Sequence, residues 1–306
     1  MPRYPQSVLV SCEIPWDARE SLIEPLFRAE IRHTLACGFR HLYVFGTAGE
    51  GYAVDLPRFR QVVEVFYEET RGSGVMPMVG VIALSTATVV ERIAIAYDIG
   101  FRVFQISLPS WGALNDAEVL TFFTDVCGSF PDAQFLHYNL PRAQRLLTGA
   151  DYRRLADAAP NLVATKNTGG GLSRAVDLMT HAPDLQHFFG EENFPHGCML
   201  GECSLLSSVG MLAPHIVWAY FEAGRARDVA SMFAHQHKFM RFFREVFAPI
   251  TGERIDGAYD KAIVRMAGVE MPLRLLSPYQ GFSEDEYQAC ERIFRERFPD
   301  WVEGRP

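Results

Sequence analysis

Three short stretches bring together residue types that perform proton transfer and imine chemistry: "FGTAGEGY" at 45–52, "FLHYNLPR" at 135–142 and "ATKNTGG" at 164–170. In the third, Lys166 follows Leu162, Val163 and Ala164, a run that reads as a buried strand. An ammonium without a partner there costs on the order of several kcal/mol. Such a lysine can shed its proton by desolvation and attack a ketone carbon, forming a Schiff base whose iminium draws electrons from the neighbouring C–C bond. The alternative is a snorkelling lysine paired with a carboxylate. Tyr138 closes an apolar run before Asn139, Leu140 and Pro141 turn the chain away. It acts as acid and base if a nearby cation lowers its pKa; otherwise it is a rim tyrosine that packs. Around Thr47, three glycines let the backbone approach a ligand and offer N–H groups to a small anion such as a carboxylate, with the Thr47 hydroxyl as a proton carrier. An ordinary tight strand-to-helix loop has the same composition.

The elements that must position these stretches are legible as an alternation. Short apolar runs at Val8–Ser11, His41–Phe45, Met76–Ile82, Arg102–Ser107, Gln134–Tyr138, Leu162–Lys166, Gln186–Phe189 and Ser204–Ser208 read as strands. Amphipathic stretches such as Ser21–Cys37, Leu56–Thr70 and Ser85–Ile99 separate them, and Gly100 stands where a helix-ending glycine belongs. Eight strands spaced by roughly 25–35 residues, with helices between, predict an α/β fold closed as a (β/α)8 TIM barrel. Its expected extent is residues 1–225. No G-x-G-x-x-G follows the first strand, which disfavours a doubly wound open sheet. After about Pro214 the strand pattern stops. Residues 226–306 read as a C-terminal three-helix extension, from 225–250, Tyr259–Met266 and Glu284–Phe298. All three chemical stretches then fall at strand C-termini, where barrel chemistry sits.

Bulk properties narrow the function. The 306 residues carry a net charge of −8, which argues against nucleic acid or an anionic membrane as partner. No apolar run is long enough to span a bilayer, and the N-terminus lacks a signal-peptide core. The six cysteines are scattered without metal-ligand or disulfide spacing, so the expected setting is a reducing cytoplasm. His235 and His237 are two apart and do not share a helix face, so with His215 they make a poor metal site. His137 precedes Tyr138 and should face the opposite side of its strand, toward the helices. The aromatic run at 239–247 reads as core or oligomer interface.

In this order, "GTAGEG", "YNLP" and "TKNTGG" resemble the GTTGE, YNxP and (I/T)K(D/E)xxG motifs of the dihydrodipicolinate synthase / N-acetylneuraminate lyase superfamily of class I pyruvate aldolases. The 28-position step from Tyr138 to Lys166 fits, as do "FFGEEN" and "GVEMPLRLLSPY" further on. The resemblance implies that Lys166 is the Schiff-base lysine, Tyr138 the acid/base, and Thr47 the first hydroxyl of the proton relay. The backbone at Ala48 and Gly49 would join Thr47 in holding a pyruvate carboxylate, and Gly190 would leave room beside the bound keto acid. Glu50 would brace the loop. Glu192 and Ser207 would meet a polar second substrate. No metal or organic cofactor is implied, and a homotetramer is.

Departures from the pattern shape the reading. Ala48 replaces the motif's second hydroxyl. Trp111, in "LPSWGALND", stands near the place of a tyrosine that relatives lend across a dimer interface, and an indole cannot relay a proton as a phenol does. Ala143 occupies the position of an arginine that holds a carboxylate in the synthases, and Arg142 is one residue early. The expectation is a Schiff-base-forming lyase acting on pyruvate or a related 2-keto acid and an aldehyde or sugar-derived partner. A 2-keto-3-deoxy sugar acid dehydratase using the same imine, and a non-catalytic keto-acid-binding protein, remain as alternatives.

Overall fold

The computed structural model describes residues 3–72 and 74–302. Eight parallel strands among them are β1 (Val8–Ser11), β2 (His41–Val44), β3 (Met76–Gly80), β4 (Val103–Ile106), β5 (Gln134–Asn139), β6 (Leu162–Asn167), β7 (Gln186–Gly190) and β8 (Ser204–Ser207). Each pairs with the next, and β8 returns to β1, closing the barrel. The helices between them are α1 (Glu24–Ala36), α2 (Leu56–Thr70), α3 (Thr86–Ile99), α4 (Asp116–Gly128), α5 (Gly149–Leu155), α6 (Gly171–His181) and α7 (Phe194–Leu200). An eighth, α8 (Pro214–Ala226), follows β8 and completes the (β/α)8 pattern.

The strands are buried on both faces, as parallel strands under a ring of helices must be. Leu9, Tyr43, Met78, Leu136, Ala164, Phe188 and Leu206 form one buried cluster, the barrel interior. Their strand neighbours Val8, Val10, Leu42, Val44, Val79, Phe135 and Leu205 join the larger cluster beneath the helices. This alternation carries Ser11, Glu13, Tyr138 and Lys166 to the interior. It sends His137 outward, where its ring accepts or donates 2.7 Å from the Tyr152 hydroxyl and meets the edge of Phe123.

The C-terminal helices are α9 (Val229–Val246), α10 (Asp256–Met266) and α11 (Glu284–Arg297). The aromatic run of α9 packs inward: Phe242 stacks on Trp301 at 4.6 Å and meets Phe294 and Phe298 edge-on. The region is more than an appendage, because α10 sits against the loop after β2. A Cβ added to Gly257 would stand 2.8 Å from the Ala48 carbonyl oxygen, so only glycine lets helix and loop come this close. Next to it, Lys261 forms a 2.6 Å ion pair with Glu50, both side chains fully buried.

Candidate active site

Lys166 lies on β6 in register with Tyr138 of β5 and Phe188 of β7. It is 3% exposed. Its Nζ donates to the Tyr43 Oη at 2.9 Å and stands 4.0 Å from the centroid of the Tyr138 ring and 4.4 Å from that of Tyr43. Among the described residues no carboxylate forms an ion pair with it. Burial lowers its pKa from 10.5 to about 8, against the pull of the Asp256, Asp260 and Glu13 carboxyls. The snorkelling alternative is thereby removed: the amine faces phenols and ring faces inside the barrel.

Tyr138 accepts a 3.4 Å hydrogen bond from the Thr47 Oγ1. Burial pushes the pKa of its phenol up to about 12, outweighing the Thr47 bond and the Arg142 charge, which work the other way. At rest Tyr138 is therefore protonated. Lys166, Tyr138 and Thr47, more than a hundred residues apart at the extremes, converge as the motifs require.

The loop that delivers Thr47 is held under strain. Phe45, expected to extend β2, adopts a left-handed backbone with φ 63°, and Glu50 has φ 57°. Such conformations cost about 1–3 kcal/mol each and persist where the surroundings over-determine them. Phe45 stacks on Phe59 at 5.1 Å. The Glu50 carboxylate accepts from Trp16 Nε1 at 3.0 Å and Leu276 N at 2.6 Å besides its bond to Lys261. Glu50 thus braces the loop from inside. Gly46 cannot carry a side chain, since a Cβ would lie 2.6 Å from the Tyr43 ring and 3.4 Å from Lys166 Nζ. Gly49 is equally tight, its Cβ position 2.9 Å from Phe45 N, whereas Gly190 at the end of β7 opens on free space.

Two cavities open beside this cluster. One, of about 170 Å³, lies between Thr47, Tyr52, Ser107, Ser110, Leu140 and Tyr279. The other, of about 390 Å³, is bounded by Tyr138, Thr168, Gly169 and Asp256. Arg142 borders both. Its guanidinium is engaged by Asp256 in a two-pronged contact at 2.9 and 3.1 Å, so α10 occupies the charge that a substrate carboxylate would otherwise seek.

Three residues singled out in the sequence are placed elsewhere. Glu192 is exposed, its carbonyl accepting from Gln236; the buried carboxyl of this turn is Glu191, which accepts from Ser208 N at 2.7 Å. Ser207 lies on the opposite face of β8 from the inward Leu206. Trp111 is 86% exposed, so within one chain it takes no part in the lysine cluster; Gln144 pins its loop through the Ser110 and Trp111 carbonyls. Conversely, Tyr43, Glu13, Asp256 and Asp260 stand around the lysine without belonging to the three motifs. A signal existed for Glu13: like Lys166, it is a charge directly after an apolar strand. Among the described residues no group of three or more His, Cys, Asp or Glu is arranged to hold a metal ion. No described helix is long and apolar enough to cross a membrane.

A closed (β/α)8 barrel with a buried lysine against a tyrosine, itself bonded to a threonine, at its strand ends is the arrangement of a barrel enzyme. The chain belongs to the Dihydrodipicolinate synthetase family, whose profile it matches over residues 5–297, and is a lyase of that family. It is 25% identical over 229 residues to an N-acetylneuraminate lyase of Salmonella paratyphi B, covering 74% of this chain and 76% of that one. It is 25% identical over 197 residues to one of Shigella boydii, covering 64% and 66%. Among solved structures, a dihydrodipicolinate synthase from Bacteroides thetaiotaomicron superposes with a TM-score of 0.87 at 17% identity, covering 97% of this chain and 100% of that one. A prophage protein of the dihydrodipicolinic acid synthase family from E. coli K12, solved with pyruvate, gives 0.84 at 17% identity, with 95% and 98% covered.

Proposed function

We propose that the chain is a class I aldolase that forms a Schiff base between Lys166 and the C2 carbonyl of pyruvate or a related 2-keto acid, and cleaves or joins the bond to an aldehyde or sugar-derived partner. The observation that carries this reading is the buried Lys166 amine, free of any ion pair, within reach of the Tyr138 phenol. The names of its relatives support it, since the curated matches include N-acetylneuraminate lyases and a superposed relative was solved with pyruvate.

The geometry suits a short sequence of steps. The neutral amine attacks C2 while the keto-acid carboxylate rests on the backbone N–H groups of the Thr47–Gly49 turn. Tyr138, protonated at rest, gives its proton to the carbinolamine oxygen, which leaves as water. The phenolate so formed faces the iminium at Lys166, and that opposite charge offsets the burial that disfavours it. It then takes the proton of the aldol hydroxyl as the C–C bond breaks. The aldehyde departs, the enamine is protonated at carbon, and hydrolysis frees the keto acid and the lysine. Thr47 holds the phenol through its 3.4 Å bond.

The partner fragment falls in the cavity beside Thr47. With Arg142 bound by Asp256, that cavity offers hydroxyls of Tyr52, Ser107 and Ser110 and apolar walls, which favours an uncharged aldehyde over one bearing a carboxylate. A panel of 2-keto-3-deoxy acids with product analysis tests the assignment. Release of free pyruvate supports cleavage, a semialdehyde product supports dehydration instead, and binding without turnover of any acid would contradict an enzymatic role.

The exposed indole of Trp111 fits a contact between copies, as a homotetramer would supply, and light scattering measures the assembly. The six cysteines are buried and, among the described residues, none forms a disulfide, which suits a reducing, cytoplasmic setting.

A further inference from the structure

The mechanism above leaves one proton unassigned. Lys166 must lose its own before it attacks, and Tyr138 carries a proton at rest. The group to which the Lys166 amine actually donates is Tyr43, at 2.9 Å, on the side of the barrel facing β1. Tyr43 and Ser11 are register partners on adjacent strands, both inside the barrel. Two positions further along the same face comes Glu13, 1% exposed. Ser11 stands between them on this face, opposite Tyr43 in the strand register and two residues before Glu13. Among the described residues Glu13 Oε2 has no hydrogen-bond partner. A buried carboxyl oxygen left open costs stability unless it serves something.

We propose that Glu13 is the proton store for Lys166, reached through Tyr43 and Ser11, so that the lysine is discharged by residues of its own chain. The proposal rests on the imine chemistry assigned to Lys166. The step is a relay. An N–H bond of the Lys166 ammonium breaks as its proton passes to the Tyr43 oxygen; the Tyr43 proton passes to Ser11; the Ser11 proton passes to the Glu13 carboxylate. One N–H bond is exchanged for one O–H bond, and the neutral amine and the carboxylic acid remain. After the product leaves, the proton returns by the same route. No group from another subunit is needed, which accounts for the absence of a tyrosine at Trp111.

The surroundings of Glu13 match the two ends of this relay. It is faced by the Glu30 carboxyl of α1, by Glu50 of the β2 loop, by Lys261 of α10, and by Lys166 across the barrel. Asp260 of α10 stands near both Glu13 and Lys166. Glu30 binds the Glu13 main-chain N–H and so fixes the strand end. Burial raises Glu13 from 4.5 to about 7, while Lys166 has come down to about 8. Burial thus makes the amine easier to discharge and the carboxyl readier to hold a proton.

The test measures the rate at which pyruvate and borohydride trap an adduct on Lys166 as pH is varied. Glu13→Gln keeps the shape and removes the acceptor. The relay predicts a rate at pH 7 at least about tenfold lower than wild type, the same deficit in Tyr43→Phe, and no further loss in the double variant. A purely electrostatic role for Glu13 gives the opposite sign. Deleting a carboxylate beside Lys166 lowers the amine's pKa further, so the adduct would form as fast or faster at pH 7, with the acid limb merely moved down; that result overturns the proposal. Should Glu13→Gln fail to fold, Ser11→Ala and Tyr43→Phe decide, and wild-type rates in both would equally overturn it. A wild-type chain that traps no 2-keto acid at any pH would instead sink the imine itself, and the relay with it.

Discussion

The barrel buries two lysines, and they are opposites. Lys261 is fully buried and sealed against the Glu50 carboxylate at 2.6 Å, with a second bond to the Arg274 carbonyl. Lys166 is 3% exposed, and its nearest partner is a phenol. Burial lowers both pKa values, but for Lys261 the adjoining Glu50 charge opposes the effect in direct contact. For Lys166 the carboxyls that oppose it form no ion pair, and it falls to about 8. A sealed ion pair fixes geometry, here the strained loop that carries Thr47. An unsealed ammonium is costly to keep and ready to become a nucleophile. The same residue type, buried in both places, is a clamp in one and, in the proposed function, a reagent in the other, and the difference is one carboxylate.

Breaking the comparison at its reactive side has the largest effect. Lys166→Ala should remove turnover by at least about 10³-fold while the protein stays folded, checked by steady-state assay beside a circular dichroism melt. At the sealed side the outcome reverses. Lys261→Met leaves Glu50 buried and uncompensated, and should lower stability by about 3–5 kcal/mol in urea titration; catalysis then fails only as far as the Thr47 loop does. Tyr138→Phe should keep stability and lower kcat by about 10²-fold or more, with borohydride trapping of pyruvate less affected than cleavage of an aldol substrate. A loss of stability without a loss of kcat would return Tyr138 to packing.

The comparison sharpens with pH. The folded-state pKa of Lys166, about 8, lies below its unfolded value of 10.5. The native state therefore binds fewer protons between these values, and the stability that Lys166 withholds is fully missing below pH 8 and recovered as pH rises toward 10.5. Lys166→Met should accordingly gain on the order of 1–3 kcal/mol at pH 7, a gain that shrinks as pH is raised. A variant no more stable than wild type at pH 7 would mean that the lysine is not desolvated as described. The smallest expected effect is at the rim. Arg142→Ala should leave pyruvate trapping unchanged and shift KM for the partner aldehyde by only a few-fold, because Asp256 already engages the guanidinium.

Much of this was written in local sequence. The eight strands appear where apolar runs end in glycine-rich or polar turns, and the three catalytic candidates fall at those ends because barrel strands expose only their C-terminal tips. What stayed hidden has two causes. Tyr43 and Ser11 are ordinary strand residues by type, and only closure of the ring of strands puts Tyr43 beneath Lys166. Asp256, Asp260 and Lys261 sit on a helix some ninety positions beyond Lys166, and no periodicity tells which face of the barrel that helix will meet. Phe45 continues the apolar run of β2 in sequence and its side chain stacks on Phe59, while its backbone has already turned. Glu191 and Glu192 are alike in sequence, and only burial of the first tells them apart.

The most direct measurement is borohydride reduction in the presence of pyruvate followed by peptide mapping. The account predicts a stable adduct on Lys166 and none on Lys261, with trapping that speeds up as pH rises through about 8. An adduct on any other lysine, or none on Lys166 at pH 9 in a folded chain, would contradict it.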